Sequence, residues 1–207
     1  MKIAVATKNS HKVKELERLI DIPGAQFLSL RDLGFEGEIE ENGSTFEENA
    51  LIKARAVCRK YGIPAISDDS GLCVDALGGA PGIYSARYAS EDGENSDDKL
   101  NIKKLLANLS GVPKEKRGAH FVCAMALVTP DGSEYTVRGE CGGYITEEIL
   151  GYDGFGYDPV FFSSALEKTF GQASEDEKNG VSHRYAASKK MSQLIENTLF
   201  KKDNKND

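Results

Sequence analysis

The order in which strand and helix patterns follow one another constrains this fold more than any other feature of the sequence. In the first half, short strand patterns such as residues 2–6 alternate with apolar residues at helical spacing. In the second half, a long apolar strand at 120–129 and a strand at 135–138 flank a turn at 130–132, which predicts a β-hairpin. Alternation favours parallel strands and a hairpin is antiparallel, so we expect an α/β fold with a mixed β-sheet and helices on its faces.

Helices are predicted wherever apolar residues recur every three to four positions. The strongest signal is the second helix, because Ser44 and Thr45 each precede a glutamate by three residues, the capping-box spacing, and Gly62 ends the pattern. In chain order, the apolar positions of the predicted helices are Val13, Leu16, Leu19 and Ile20; Phe46, Ala50, Ala54, Val57, Cys58 and Tyr61; Ile102, Leu105, Leu106 and Leu109 after a start near Ser96; and Ala187, Met191, Leu194 and Ile195 after Ser182. Short strands are expected at 65–67 and 157–162, and a structured loop at 78–82.

Size and charge limit the classes of function. The 207 residues leave room for one domain of two lobes over 1–200, followed by a polar tail at 201–207. The chain has 26 basic and 33 acidic residues and a net charge of −7, which disfavours a general nucleic-acid or anionic-membrane surface because the mean field repels phosphates. Apolar runs fall short of the roughly 20 residues that span a bilayer.

The N-terminal pattern and the cysteines favour a cytoplasmic protein. The first six residues are too short for a secretory signal and lead directly into a strand. Cys58, Cys73, Cys123 and Cys141 lack CxxC spacing and have apolar neighbours, so buried thiols in a reducing compartment are expected. With three histidines and no cysteine pairs, a structural zinc site is disfavoured.

Two acidic pairs are candidate metal ligands. Asp68 and Asp69 follow the predicted strand at 65–67, and open α/β sheets bind ligands at the carboxyl ends of strands. Glu40 and Glu41 lie in the loop before the second helix. Oxygen ligands without soft ones indicate Mg²⁺ rather than zinc. A solvated turn with helix-capping acids explains the same residues equally well.

The turn after the first strand is a candidate phosphate site. A strand, a short turn and a helix present backbone N–H groups and a positive dipole end to an anion, and here Thr7 adds a hydroxyl while Lys8 and Lys12 add cations. The turn has no glycine and is not a Walker loop, and an ordinary strand–helix connection with exposed lysines accounts for it as well. Lys53 on the second helix is either a further phosphate ligand or a solvated lysine.

The segment 154–159 is a candidate base-binding loop. It carries Phe155 and Tyr157 between glycines beside Asp158, so its rings could stack on a base or fill the core. Near the last helix, Lys178, His183 and Arg184 form a compact set of donors, although a single histidine is more often structural. A triphosphate carries roughly four negative charges and Mg²⁺ offsets about two, so a few dispersed cations suffice for the remainder. The candidates are Lys8, Lys12, Lys53, Lys178 and Arg184.

Taken in order, these motifs resemble the inosine/xanthosine triphosphate pyrophosphatases, the ITPase family, and most closely its bacterial, RdgB-like members. The segments that carry the resemblance are 7–12, 40–50, 53–54, 67–72, 78–88, 154–159 and 182–184. The resemblance covers residues 2–200 with compatible spacings. It implies a long curved mixed sheet flanked by helices, with a cleft between two lobes that holds the nucleotide.

The same resemblance implies an activity and an assembly. A homodimeric cytoplasmic enzyme would hydrolyse deaminated purine nucleoside triphosphates (ITP, dITP, XTP and dXTP) to the monophosphate and pyrophosphate, with Mg²⁺. A candidate dimer interface is the loop 78–88, where Arg87 is either structural or reaches the substrate. Two other functions stay open from the residues: a metal-dependent phosphohydrolase of another modified nucleotide, and a nucleotide-binding regulator without turnover.

Residue roles are carried over from the resemblance position by position. Asp69 would accept the proton from water, and Glu40 and Asp69 would bind Mg²⁺, with Glu41 and Asp68 as alternatives. The substrate would contact Thr7, Lys8, Asn9, Ser10, His11, Lys12 and Lys53 at its phosphates, Ser70 next to the metal, and Phe155, Gly156, Tyr157, Asp158, Lys178, His183 and Arg184 at its base. Phe155 would stack on the base. Hydrogen-bond donors facing the 6-carbonyl would accept hypoxanthine and xanthine and disfavour adenine.

Overall fold

The structure, a computed structural model, describes residues 1–8, 16, 18–20, 22–91 and 93–200. Its strands are β1 (Lys2–Val5), β2 (Gln26–Ser29), β3 (Ala65–Val74), β4 (Gly118–Val128), β5 (Glu134–Ile145), β6 (Phe161–Ser163) and β7 (Lys168–Thr169). Its α-helices are α1 (Phe46–Tyr61), α2 (Asp98–Asn108), α3 (Glu175–Val181) and α4 (His183–Ile195). Short 3-10 turns cover Asp75–Leu77, Gly82–Arg87, Lys114–Lys116, Asp158–Val160 and Phe170–Gln172, and a π-helical turn covers Glu196–Phe200.

The strands form a mixed sheet in the order β2-β1-β3-β4-β5-β6-β7. Strand β1 pairs in parallel with β2 and β3, whereas β6 pairs antiparallel with β5 and β7. Between the neighbouring strands β4 and β5, the N–H of Thr129 donates to the carbonyl of Ser133 (3.0 Å) and closes a tight turn. The predicted hairpin and the predicted mixed sheet are both confirmed.

The chain divides into two compact units. Unit 1 contains the described residues within Met1–Asp69, Cys123–Gly139 and Arg184–Asp207, and unit 2 contains those within Ser70–Val122 and Glu140–His183. Strands β3, β4 and β5 contribute residues to both units.

In unit 1, apolar side chains cover both faces of the strands. Successive side chains of a strand point to opposite faces, so Ile3 and Val5 lie on one face of β1 and Ala4 lies on the other. The first face packs with Ile66, Met125, Leu127, Ala187, Met191 and Ile195; the second packs with Ala50, Ala54, Val57, Ala65, Ala126 and Val128. Helix α4 therefore covers one face and α1 covers the other, as the predicted layering requires.

Helix α1 begins and ends where the sequence predicts. Its N-cap is Thr45, whose Oγ1 accepts a hydrogen bond from the N–H of Glu48 (3.1 Å), while the Glu48 carboxylate accepts from the N–H of Ser44 (2.6 Å). Gly62 ends the helix with φ 66°, a conformation that glycine adopts without strain, and its N–H donates to the carbonyl of Cys58. The buried face includes two polar residues, Asn49 and Lys53.

Unit 2 has a separate core that is rich in aromatic rings. Phe121, Phe161 and Phe170 lie within 6.0 Å of one another between ring centroids. The other buried members are Leu72, Val74, Ile102, Leu105, Leu109, Ala119, Cys141, Ile145, Tyr157 and Val160. The apolar face predicted for α2 is therefore confirmed at Ile102, Leu105 and Leu109.

Strand β3 differs most from its prediction. It runs over Ala65–Val74 rather than 65–67, so the expectation that Asp68 and Asp69 follow the end of a strand is wrong. The strand continues because Leu72 and Val74 are fully buried in the core of unit 2. Both aspartates are thus held by the strand backbone in the interior of the sheet.

The structure differs from the other predictions in smaller ways. The sequence did not predict β2 or α3, and the strand expected at 157–162 is a 3-10 turn over Asp158–Val160 followed by β6. Half of the helix predicted from Val13 to Ile20 (residues 13–15 and 17) and the tail 201–207 lie outside the described residues.

All four cysteines are free thiols, with Cys58, Cys123 and Cys141 buried and Cys73 half-buried. Burial raises the pKa of the Cys58 and Cys141 thiols, which makes them poor nucleophiles. None of the helices in the described part of the chain combines the length and the apolar character that a membrane span requires.

The cap of helix α3 stabilises the folded protein at neutral pH, and this stabilisation is lost in acid. Glu177 accepts hydrogen bonds from Lys168 Nζ (2.7 Å) and from the N–H of Ser174 (2.9 Å), and these contacts lower its pKa to about 2. Because the folded state has the lower pKa, the contribution is complete above the ordinary value of 4.5 and is lost as the pH falls towards 2.

We expect Glu177→Gln to lose less unfolding free energy than the wild type between about pH 6 and about pH 3. Urea unfolding at the two pH values measures the difference. Glu175→Gln removes the same charge from the same turn and leaves the capping box intact, so it controls for net charge. An unchanged pH dependence in Glu177→Gln would contradict the assignment.

Candidate functional site

A buried lysine lies between two carboxylates in unit 1. Lys53 on α1 is 8% exposed, and its Nζ donates to Glu41 Oε2 at 2.7 Å and lies 3.7 Å from Asp69 Oδ1. Burial by itself would lower the pKa of Lys53, but the charges of Asp69, Glu41 and Asp68 outweigh burial and raise it above its ordinary value. Lys53 is therefore a protonated cation at neutral pH, and it is not the solvated lysine that the sequence left as an alternative.

The two aspartates of β3 have different partners. Asp69 Oδ2 accepts a hydrogen bond from Asn49 Nδ2 (3.1 Å), whereas the fully buried Asp68 lies 3.6 Å from the Nε of Arg184. Neighbouring residues of a strand point to opposite faces, which separates the two carboxylates. Each negative charge thus has its own cationic or amide partner, and the solvated turn that the sequence left as an alternative is not formed at these two residues.

Arg184 is bound within unit 1. Only 1% of it is exposed, and its guanidinium faces Asp68. Of the predicted donor set, Arg184 belongs to unit 1, whereas Lys178 and His183 belong to unit 2. A buried charge pair of this kind is costly to break, because the remaining charge would be left in a low-dielectric environment.

The other predicted phosphate and metal residues of unit 1 are more exposed. Lys8 forms an ion pair with Glu38 at 3.7 Å in which the side chains are 54% and 90% exposed, a contact of little energetic weight. Thr7 is half-buried two residues after the end of β1, and Glu40 is exposed. The predicted phosphate ligands Asn9, Ser10, His11 and Lys12 lie outside the described residues.

In unit 2, the aromatic loop is organised around one carboxylate. Asp158 is 2% exposed, and its Oδ2 accepts from Lys178 Nζ (2.5 Å) and from the N–H of Phe155 (2.8 Å). The Lys178 ammonium lies 4.7 Å from the ring centroid of Phe155, a cation–π contact. The N–H of Gly156 donates to Asp98 Oδ2 at 2.7 Å, which ties the loop to the first turn of α2. Phe155 is only half-buried, so part of its ring is available to a ligand.

Tyr157 belongs to the core rather than to the accessible part of this loop. Its hydroxyl donates to the carbonyl of Ser85 (2.9 Å), and burial raises its pKa. The core-filling alternative for the loop therefore applies to Tyr157. Ser70 is half-buried on β3, directly after Asp69.

His183 stacks on an aromatic ring of the unit 2 core. Its imidazole lies 4.8 Å from the ring centroid of Phe121 with an interplanar angle of 13°, and the residue is 5% exposed. This stacking fixes the plane of the imidazole, as expected of a structural histidine. It occupies one face of the ring and does not cover the two nitrogens in the ring plane.

Lys53, Glu41 and Asp69, here called the Lys53 group, include carboxylate oxygens that suit a hard cation. Among the residues that the structure describes, no three histidine, cysteine or acidic side chains lie together as a metal-binding group. Mg²⁺ does not need such a group, because it retains several waters and is commonly held by one or two carboxylates together with substrate phosphates. Glu41 and Asp69 provide carboxylate oxygens, the hard donors that Mg²⁺ prefers, next to the same ammonium.

Asn49 is a site residue that the sequence analysis missed. It is 1% exposed and contacts Asp69 from the buried face of α1. The signal that would have found it is a second polar residue on an otherwise apolar helix face, one turn before Lys53.

Glycine at position 154 is required by the geometry of the aromatic loop. Its φ is 80°, and a Cβ there would lie 2.1 Å from Asp158 Oδ2. Gly156 has φ 59°, and a Cβ at that position would meet no atom within 4 Å. Alanine at either position costs about 1–2 kcal/mol for the left-handed backbone, but only position 154 adds a steric conflict.

We expect Gly154→Ala to lower the unfolding free energy by about 1–3 kcal/mol more than Gly156→Ala does, because Asp158 must move away from Lys178. Urea unfolding of the two variants measures the difference. Equal losses would show that the Asp158 contact does not hold the loop.

The chain is similar to proteins of known sequence and of known structure over nearly its whole length. Residues 3–194 match the model of the Ham1 family. The "dITP/XTP pyrophosphatase" of Bacillus licheniformis is 50% identical over 194 residues, covering 94% of this chain and 97% of the relative, and that of Bacillus subtilis is 50% identical over 192 residues, covering 93% and 96%. The solved Ham1 protein of Staphylococcus aureus is 38% identical, with a TM-score of 0.85 and coverage of 95% of this chain and 99% of that one. The resemblance drawn from the motifs is confirmed: the chain belongs to the Ham1 family.

Proposed function

We propose that this chain hydrolyses deaminated purine nucleoside triphosphates, dITP and XTP among them, to the nucleoside monophosphate and pyrophosphate. The observation that carries the proposal is the buried group of Lys53, Asp69 and Glu41, which combines a fixed cation with carboxylates. The near full-length relatives named for dITP and XTP support the choice of substrate.

Charge neutralisation is the first requirement of the reaction. Water attacks an anionic phosphoryl centre only when the phosphate charge is compensated. Lys53 supplies a positive charge whose position is fixed by Glu41 and Asp69. Lys8 is a second cation of unit 1, and its exposed pairing with Glu38 is weak enough for a phosphate to replace it. Asn9, Ser10, His11 and Lys12 stay predicted phosphate ligands.

The carboxylates provide the second requirement, a metal site and a base. Asp69 and Glu40 would hold Mg²⁺, with Glu41 and Asp68 as alternatives, and the bound ion supplies further charge compensation. Asp69 acts as the proton acceptor for the attacking water. The Lys53 ammonium and the Asn49 amide each contact one oxygen of the Asp69 carboxylate, so both of its oxygens face a positively polarised group.

The aromatic loop is the proposed base-binding element. The accessible part of Phe155 stacks on the purine, while Asp158 and Lys178 keep the ring in place from the protein side. Donors from Lys178, His183, Arg184 or the loop backbone face the 6-carbonyl of hypoxanthine or xanthine. Adenine has an amino group at that position, and one mismatched buried polar group costs roughly 1–3 kcal/mol, or about 10- to 100-fold.

Assembly and location complete the proposal. On the family resemblance, the enzyme is a cytoplasmic homodimer with Mg²⁺ as cofactor. The candidate interface is the loop 78–88, in which Tyr84 is 57% exposed and the Arg87 guanidinium lies 5.2 Å from the centroid of its ring. An exposed aromatic residue paired with arginine is typical of protein interfaces.

The wild-type protein should release pyrophosphate, and not orthophosphate, from dITP in the presence of Mg²⁺. Asp69→Asn should lower kcat at least about 100-fold, because the amide cannot accept the proton. Asp32→Asn is the matched control, since Asp32 is an exposed acid of unit 1 that binds Ser29 outside the site.

A panel of nucleotides in the same assay separates the alternatives. Preference for a modified pyrimidine triphosphate would indicate another phosphohydrolase, and tight binding without product would indicate a regulator. Full turnover by Asp69→Asn would refute the proposed role of Asp69 as the base.

A further inference from the structure

Asn49 contacts both the strand that carries Asp69 and the loop that carries Glu41. Its Nδ2 donates to Asp69 Oδ2 (3.1 Å), and its Oδ1 accepts from the backbone N–H of Gly43 (2.9 Å). Gly43 follows Glu41 by two residues, so one side chain connects the loop of residues 40–43, here called the acidic loop, to strand β3. Asn49 itself is 1% exposed, and its contact with Asp69 is buried.

The orientation of the Asn49 amide follows from its partners. The backbone N–H of Gly43 can only donate, so it must face the carbonyl oxygen of the amide. The NH₂ group is then directed at Asp69, whose ionised carboxylate can only accept. A flipped amide would oppose donor to donor and acceptor to acceptor, so a single orientation satisfies both contacts.

Asn49 and Lys53 act on Asp69 as a pair. They are four residues apart on α1 and therefore lie on the same helix face. Asn49 binds Oδ2 of Asp69, while the Lys53 ammonium lies 3.7 Å from Oδ1. Both carboxylate oxygens are thus held from one rigid helix, which limits rotation of the carboxylate about its Cβ–Cγ bond.

The acidic loop is held by the same two residues. Asn49 accepts from the backbone of Gly43, and Lys53 donates to the side chain of Glu41. The approach at Gly43 is close: a Cβ there would lie 2.8 Å from Asn49 Oδ1 and 2.7 Å from the Cβ of Glu48. Only glycine permits this approach without displacing the amide.

We propose that Asn49 is a positioning residue for the hydrolysis: it orients the Asp69 carboxylate and keeps the segment from Glu41 to Gly43 aligned with it. The inference rests on the proposed function. A base contributes fully only when its oxygen meets the attacking water in the right direction, and a misplacement of about 1 Å can cost about 100-fold in rate. Asn49 acts through Asp69 and need not touch the substrate.

Two substitutions test the role kinetically. Asn49→Asp keeps the acceptor for Gly43 but replaces the donor to Asp69 with a like charge, and Asn49→Leu removes both contacts at similar volume. We expect each to lower kcat for dITP by about 10- to 100-fold while KM changes by less than about threefold. If Asn49→Leu does not fold, Asn49→Ser removes the same contacts with a smaller side chain.

Asn101→Leu is the matched control for loss of packing. Asn101 is likewise a buried helical asparagine, 2% exposed, and it binds the backbone of Ala89 (2.7 Å) and Ala86 (3.2 Å). It should lower the melting temperature but leave kcat within about twofold of the wild type. A kcat for Asn49→Asp that is also within twofold would overturn the proposal, as would an effect confined to KM.

A melting-temperature cycle without metal or nucleotide tests the contact itself. Asn49→Asp should lower the melting temperature, and combining it with Asp69→Asn should restore most of the loss, because the carboxylate and the amide have then exchanged positions. Strictly additive losses would overturn the contact. Failure of the wild type to release pyrophosphate would instead overturn the proposed function, and the cycle would still report on the pairing of Asn49 with Asp69.

Discussion

The ammonium group of Lys53 can be buried only because carboxylates from two other segments surround it. An isolated buried charge is unfavourable, and here Glu41 at 2.7 Å and Asp69 at 3.7 Å compensate it. The same cation reduces the repulsion between these carboxylates, which come from a loop and from strand β3. Helix α1, the acidic loop and β3 are therefore linked through Lys53, because loss of its ammonium would leave Glu41 and Asp69 without their shared cation.

Unit 2 also contains a buried lysine that is compensated by a carboxylate, but the pair has a different effect. The buried ammonium of Lys178 is bound by Asp158, and the aromatic rings of Phe155 and Phe170 lie 4.7 and 5.5 Å from it. Asp158 and the two rings hold this cation in place, and the cation in turn supports the aromatic loop. One lysine is thus suited to polyphosphate charge and the other to the support of a flat aromatic ligand.

Local signals explain what the sequence could predict. Helix α1 was predicted to its ends because its caps are short-range contacts, and the β4–β5 hairpin was predicted from its turn residues. The length of β3 was not, because residues beyond 67 join the strand through burial of Leu72 and Val74 in a core assembled from distant segments. The division of Asp68 and Asp69 between Arg184 and Asn49 depends on those same tertiary contacts. Motif composition identified the acids and cations but could not assign their partners.

The central claim is that the Lys53–Asp69 group binds the metal and the phosphates, while the Phe155 loop binds the base. A crystal structure of the wild-type protein with Mg²⁺ and a non-hydrolysable dITP analogue tests it most directly. We predict a metal ion coordinated by an oxygen of Asp69, at the roughly 2.1 Å typical of Mg²⁺, and the purine stacked on Phe155. A metal ion bound away from Asp69, or a purine without contact to Phe155, would contradict it.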